Sequence, residues 1–244
     1  MKSWFRSVVP LLLSCLFMLS VPSQALSATV EVFATASGWV LPNGDTNGRD
    51  PLTSNYIVGG PDSRGMFYRN FFVFDLTGVA DEVQSATLRL MNPVNGFYSR
   101  DSASETYTVR SLPTDPSNLL PDNWPLYLPL WQMISTGTTL GNVTVTNASN
   151  GTIVDIVFNQ AGIDLLNTSL GGYVAFGGLL SSNADLAYPR QLFANSGGGL
   201  YRALVMDTAP APVPLPPSLF LLLGGLVPFA LMRKQATRTK GDAH

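Results

Sequence analysis

The chain has 244 residues, 45% of them hydrophobic and 12% charged, with a formal net charge of −2. That length suits one ordinary domain with additional segments, and the apolar content rules out a disordered chain. Residues 26–212 hold no Cys, His or Lys, which excludes Ser-His-Asp and Cys-His nucleophilic systems, the usual zinc sites, Walker loops, Schiff-base lysines and disulfides there.

At the N-terminus, Lys2 and Arg6 flank the start of an apolar run over 8–21, and Ser23-Gln24-Ala25 supplies a small-x-small pattern. This predicts a secretory signal peptide over 1–25, cleaved by signal peptidase after Ala25, with Ala28 as the alternative. The competing membrane anchor is disfavoured by Pro10, Pro22 and the shortness of the run. Cys15 lies inside it, where lipoprotein processing would cut the apolar region in half.

Beyond this segment, alternating and β-branched runs dominate. Residues 28–35 alternate cleanly and predict the first strand. A Gly/Asn/Asp loop follows over 42–51. Its Asn43, Asp45, Asn47 and Asp50 place oxygen ligands near a turn glycine, Gly48, and partly match the Asp-x-Asn-x-Asn-Gly calcium pattern. Asn43 replaces the first acid and Ser54 stands where a bidentate Glu belongs, so a plain polar turn competes with a calcium loop.

Residues 67–76 are apolar on both faces and predict a central strand. Residues 83–91 alternate again, with Ala86, Leu88 and Leu90 on one face. Further strands are predicted at 104–112, 140–146, 152–158, 172–177 and 200–207. The one predicted helix covers 160–167, with Ile163 and Leu166 inward. Between these elements, Trp124, Tyr127 and Trp131 gather in a Pro-broken loop over 121–131. Such rings can stack on sugar rings, or alternatively cap the core beneath the loop. Trp39, Tyr56, Tyr98 and Tyr188 are less clustered candidates. The fold class that follows is all-β: an antiparallel β-sandwich, a jelly roll, over 26–208.

Residues 26–212 carry eight Arg against fifteen Asp and Glu, a formal −7, which excludes nucleic acid as a partner. Fifteen carboxylates also suffice for a glycoside-hydrolase pair, the second alternative to a binding role. Asp75 is expected at a strand end, and Arg69 is expected to pair with an acid. Four Asn-x-Ser/Thr sequons, at Asn142, Asn147, Asn150 and Asn167, mark surface loops.

Tyr68-Arg69-Asn70-Phe71-Phe72-Val73-Phe74-Asp75-Leu76 followed by Val83-Gln84-Ser85-Ala86-Thr87-Leu88-Arg89-Leu90 resembles the core of DNRLRE-type secreted β-sandwiches. The strand over 151–158 leading into 159–167 fits the same family's later strand-then-helix element. The resemblance covers about 100 residues and rests on packing motifs. It implies a fold similar to certain carbohydrate-binding modules of bacterial surface proteins.

A Pro-rich linker over 209–217 precedes a second apolar run over 218–232, which predicts a short transmembrane helix of roughly 22 Å. Arg233 and Lys234 begin a basic tail over 233–244 that stays cytoplasmic, leaving residues 26–212 outside. Val213-Pro214-Leu215-Pro216, the apolar run and Arg233-Lys234 together resemble the PEP-CTERM sorting signal of Gram-negative bacteria. That resemblance implies processing by a membrane exosortase. The motif departs from Pro-Glu-Pro, and the tail runs ten residues beyond Lys234. A permanent single-pass anchor is the competing reading.

The expected function is that of an exported, non-enzymatic protein of the cell envelope, outer surface or extracellular matrix, associated with exopolysaccharide or biofilm. The first alternative is a calcium-assisted carbohydrate-binding module. Structural calcium is the one cofactor this sequence suggests, and extracellular polysaccharide the one macromolecular ligand.

Overall fold

In the computed structural model, the residues described are 27–47, 55–123, 129–181, 188–197 and 199–209. The predicted signal peptide, transmembrane helix and basic tail lie outside them, as does the Pro-rich linker after Ala209. Among the described residues no helix is long and apolar enough to cross a membrane.

Alternating side chains commit β1 (Ala28–Val40) to an extended ribbon of 13 residues, longer than its predicted eight. Its first half pairs with β11 (Arg202–Thr208), from Ala28↔Thr208 to Phe33↔Ala203. Its second half pairs with β3 (Arg69–Asp75), from Ala34↔Phe74 to Val40↔Arg69. The register shifts between Ala34 and Ala36. An extra residue there bends and twists the strand, which lets one strand serve two halves of a sheet.

The other long strands are β4 (Val83–Met91), β6 (Ser104–Ser111), β7 (Thr139–Thr146), β8 (Ile153–Val157) and β9 (Tyr173–Leu180). With β1, β3 and β11 they form one eight-stranded sheet in the order β7-β6-β9-β3-β1-β11-β4-β8, every pair antiparallel. Its two edges meet: Asn159 N–H donates to Leu140 O at 2.7 Å, and Asn159 Nδ2 donates to Thr139 O at 2.9 Å. The all-β class is therefore present as a near-closed, barrel-like sheet. The two sheets expected of a sandwich are joined because β1 runs through both.

Three short strands were not predicted. They are β2 (Val58–Gly60), β5 (Tyr98–Ser99) and β10 (Arg190–Leu192), which make a small sheet in the order β2-β10-β5. A second helix was also missed. α1 (Leu130–Thr136) stands where a Pro-broken loop was expected, ahead of the predicted helix, α2 (Gln160–Thr168). Pro129 sits at the N-cap of α1 without a side-chain cap, so the usual start signal is missing. α2 has one, since the Asn159 side chain accepts from Gly162 N–H.

The interior is filled by Phe72, Phe74, Leu88, Leu90, Ile156, Phe176, Leu204 and Met206, all fully buried. Each such side chain contributes ~1.5–3 kcal/mol relative to exposure. β3 faces apolar neighbours on both sides, as its sequence predicts. Its Phe71 and Val73 point outward into a second cluster with Ala175, Leu119, Leu130 and Ile134. That cluster forms because residues 112–120 and 130–134 pack over this half of the sheet. Gly177 permits the contact, since a Cβ there would lie 2.3 Å from Ile134 Cγ1.

Candidate functional site

The seating of α1 brings its first turn against the loop that follows β1. Leu41, Pro42, Asn43 and Gly44 on one side, and Pro129, Trp131 and Gln132 on the other, line a cleft of about 40 Å³. Such a space holds a few waters or a small substituent, far less than a sugar ring.

The loop wall is built by its own hydrogen bonds. Leu41 N–H donates to Asp45 O at 2.9 Å, and Gly44 N–H donates to Leu41 O at 3.0 Å. Asn43 Oδ1 accepts from Asp45 N–H at 3.1 Å while Asn43 Nδ2 donates to Asp45 Oδ2 at 2.9 Å. Asn47 Oδ1 accepts from Trp39 N–H at 2.7 Å, and its Nδ2 donates to Asn55 O at 2.8 Å. Short polar side chains that bond the nearby backbone are the standard way to stiffen a turn. Three of the four calcium candidates, Asn43, Asp45 and Asn47, thus lie in this wall, and Asp50 lies outside the described residues. A cation would require both Asn carbonyl oxygens to share their present N–H donors or turn from them. Among the described residues no group of three or more His, Cys, Asp or Glu is placed to hold a metal.

The helix wall is held from beneath by Arg69. Its guanidinium carbon lies 3.4 Å from the centroid of the Trp131 ring, a cation–π stack. Its Nη1 donates to the Trp131 carbonyl and to the Ser135 hydroxyl. Trp131 Nε1 in turn donates to Phe67 O at 3.3 Å. Arg110 Nη1 donates to Ser135 O at 2.7 Å and Gly137 O at 3.2 Å. Arg110 therefore clasps the carbonyl end of α1, where positive charge is favoured, while Arg69 spans from the Trp131 carbonyl in the first turn to the Ser135 hydroxyl. Burial, and then the neighbouring Arg110, lowers the Arg69 pKa to about 10, so it remains a cation at neutral pH. The acid partner expected for Arg69 is absent among the described residues. This strand-start arginine beneath α1 finds a carbonyl and a hydroxyl instead.

Of the other predicted aromatics, Trp124 and Tyr127 lie outside the described residues. Tyr56 is fully buried and spends its hydroxyl on Met91 O at 2.7 Å, so it is a core residue and offers no surface ring. Trp39 is half-buried and packs edge-on against Tyr68 at 5.2 Å. Tyr98 and Tyr188 are 49% and 41% exposed beside the small sheet, away from the cleft lining. Asp75 ends β3 as expected, bonding Thr77 N–H. The sequons divide. Asn142 and Asn147 are exposed, whereas Asn150 bonds Phe97 and Asn167 bonds Val83 through both amide atoms. Asn142 lies within β7 and Asn167 within α2, so these two do not mark loops.

A carboxylate node stands just before β3. Asp62 Oδ1 accepts from Arg64 N–H at 2.8 Å and Met66 N–H at 3.0 Å, and its Oδ2 accepts from the Tyr68 hydroxyl and the Arg64 guanidinium. Desolvation pushes this carboxyl up, but those donors together outweigh it and hold it well below the usual carboxylate range. A lowered folded pKa adds stability that is complete above the unfolded value, near pH 4, and fades as pH falls below it. Wild type is therefore expected to exceed Asp62→Asn by about 1 kcal/mol at pH 7. The difference, followed by urea unfolding, is expected to shrink progressively below pH 4. A difference independent of pH would remove the carboxylate from the explanation.

No protein-family model matches the chain, and no curated protein matches it in sequence.

Proposed function

We propose that this protein is an exported, exosortase-sorted and non-catalytic jelly-roll sandwich of the cell surface or extracellular matrix. One observation carries the reading: Val213-Pro214-Leu215-Pro216, an apolar run over 218–232 and Arg233-Lys234 stand in the order of a sorting signal, opposite a signal-peptide pattern over 1–25. The strand order supports the jelly-roll part. The run β7-β6-β9-β3 and the run β1-β11-β4-β8 follow the interleaving of two Greek keys. The residue types of 26–212 support a non-catalytic role, and none of the cleft-lining side chains is a carboxylate.

The test is the mass of the protein recovered from the cells that make it. Removal of residues 233–244 is expected in the wild type, with retention in a Pro214→Ala, Pro216→Ala variant. Wild-type protein that still carries Arg233 and Lys234 would sink the sorting reading.

A second reading, binding of extracellular polysaccharide, is favoured by the cleft at Trp131. There an aromatic ring with a fixed plane meets two carboxamides, the combination that recognises sugars.

A further inference from the structure

We infer that the cleft between the 41–44 turn and the first turn of α1 receives the acetamido group of an N-acetylated sugar residue. The inference rests on the polysaccharide-binding reading and names the sugar substituent it selects. Size comes first. About 40 Å³ is too little for a pyranose ring but suits a substituent projecting from one, with the ring itself left outside.

The lining chemistry then narrows the choice. Pro42, Pro129 and Trp131 bring carbon to the cleft, which suits a methyl group, while the Leu41 side chain is fully buried. Asn43 and Gln132 bring carboxamides to the same cleft, and a carboxamide both donates and accepts, as an acetamido group requires. Asn43 is held in place by its two bonds to Asp45, while Gln132 is exposed at the rim.

Charge excludes the main competitors. No Arg or Lys lines the cleft, and Arg69 is held behind the Trp131 ring, so a carboxylate or sulfate entering it would find no cation to pair with directly. Arg69 is 7% exposed and bonds the carbonyl of Trp131 and the Ser135 hydroxyl. Its role is positioning. By stacking on the indole it fixes the ring plane before any ligand arrives, which lowers the ordering cost of binding.

The test uses the full chain in non-ionic detergent and two probes, chitotetraose and cellotetraose. They share a β-1,4-linked backbone and differ in the acetamido group at C2. Chitotetraose is expected to bind at least about tenfold more tightly. Gln132→Ala, an exposed substitution expected to leave the melting midpoint unchanged, should abolish that preference. Equal affinity for the two probes overturns the inference, as does a preference that survives Gln132→Ala. So does binding of neither probe while the producing cells' own polysaccharide is retained, and in each of these cases the wider reading stands. Retention of no polysaccharide at all overturns both.

Discussion

Gly178→Ala is expected to lower the unfolding free energy by about 3 kcal/mol. A Cβ at Gly178 would lie 2.0 Å from the Tyr107 hydroxyl and 2.2 Å from Asn70 Oδ1. Those two groups cannot retreat. Both residues are fully buried, and the Tyr107 hydroxyl donates to Asn70 Oδ1 at 2.9 Å while Asn70 Nδ2 donates to Tyr56 O at 2.9 Å. Desolvation pushes the Tyr107 pKa far up, so the phenol stays a neutral donor at any working pH. The added methyl must either displace β9 or open the Tyr107–Asn70 bond. Overpacking costs ~1–3 kcal/mol, and stranding a buried polar partner costs ~1–3 kcal/mol more. Urea unfolding of the full chain measures the loss. Gly78→Ala is the control, because nothing lies within 4 Å of its added Cβ, and it should change stability by no more than about 0.5 kcal/mol. A loss below about 1 kcal/mol at Gly178 would mean the polar hub is looser than its geometry states.

Arg190→Met is expected to cost about 3 kcal/mol, through a different mechanism. Arg190 grips Asp101 with two bonds of 2.9 Å and brings Nη1 to 2.9 Å from Glu105 Oε1. The Glu105 contact has ion-pair distance without hydrogen-bond alignment. It still matters most, because the Glu105 side chain is only 3% exposed and Asp101 is 31% exposed. Removing the arginine leaves a carboxylate buried without that counter-charge, whereas exposed Asp101 is rehydrated at little cost. Glu105→Gln in the Arg190→Met background is therefore expected to recover most of the loss, and Asp101→Asn little of it. If Asp101→Asn restores stability instead, the exposed pair carries the energy. The ion pair also has a topological consequence. Arg190 lies in β10 and Glu105 in β6, so the pair ties the small sheet to the eight-stranded one.

The aromatic cleft and the polar hub were unequally visible beforehand. Trp131 stood out as one of three amphipathic rings in a Pro-broken segment, and Asn43 as part of a Gly/Asn/Asp turn. Nothing local to either residue states that they share a cleft. The helix carrying Trp131 was signalled only by Leu130 and Ile134, four residues apart and both fully buried. That spacing is too brief to separate from a loop when prolines flank it. Arg69 shows the same limit from another side. Its position at the start of an apolar strand was plain, but its partners are a carbonyl and a hydroxyl of residues more than 60 positions away. Tyr56, read as a candidate ring on its chemistry alone, is enclosed by Phe72 and Phe193, from distant parts of the chain.

By itself the order of residues determined the class of this domain and the places of its main strands. β4 runs from Val83 to Met91, the span predicted, and α2 differs from prediction by one residue. The reason is that side-chain alternation with period two, helical spacing and an Asn cap are interactions among near neighbours. Only the tertiary structure decided how β1 divides between β11 and β3, that the sheet nearly closes through Asn159, and where two- and three-residue strands form. Strands that short have no period to read, and their backbone groups become paired only when a partner from far along the chain arrives. The cleft belongs to that second category, since its two walls are separated by more than 80 residues and meet because Gly177 lets α1 settle on the sheet.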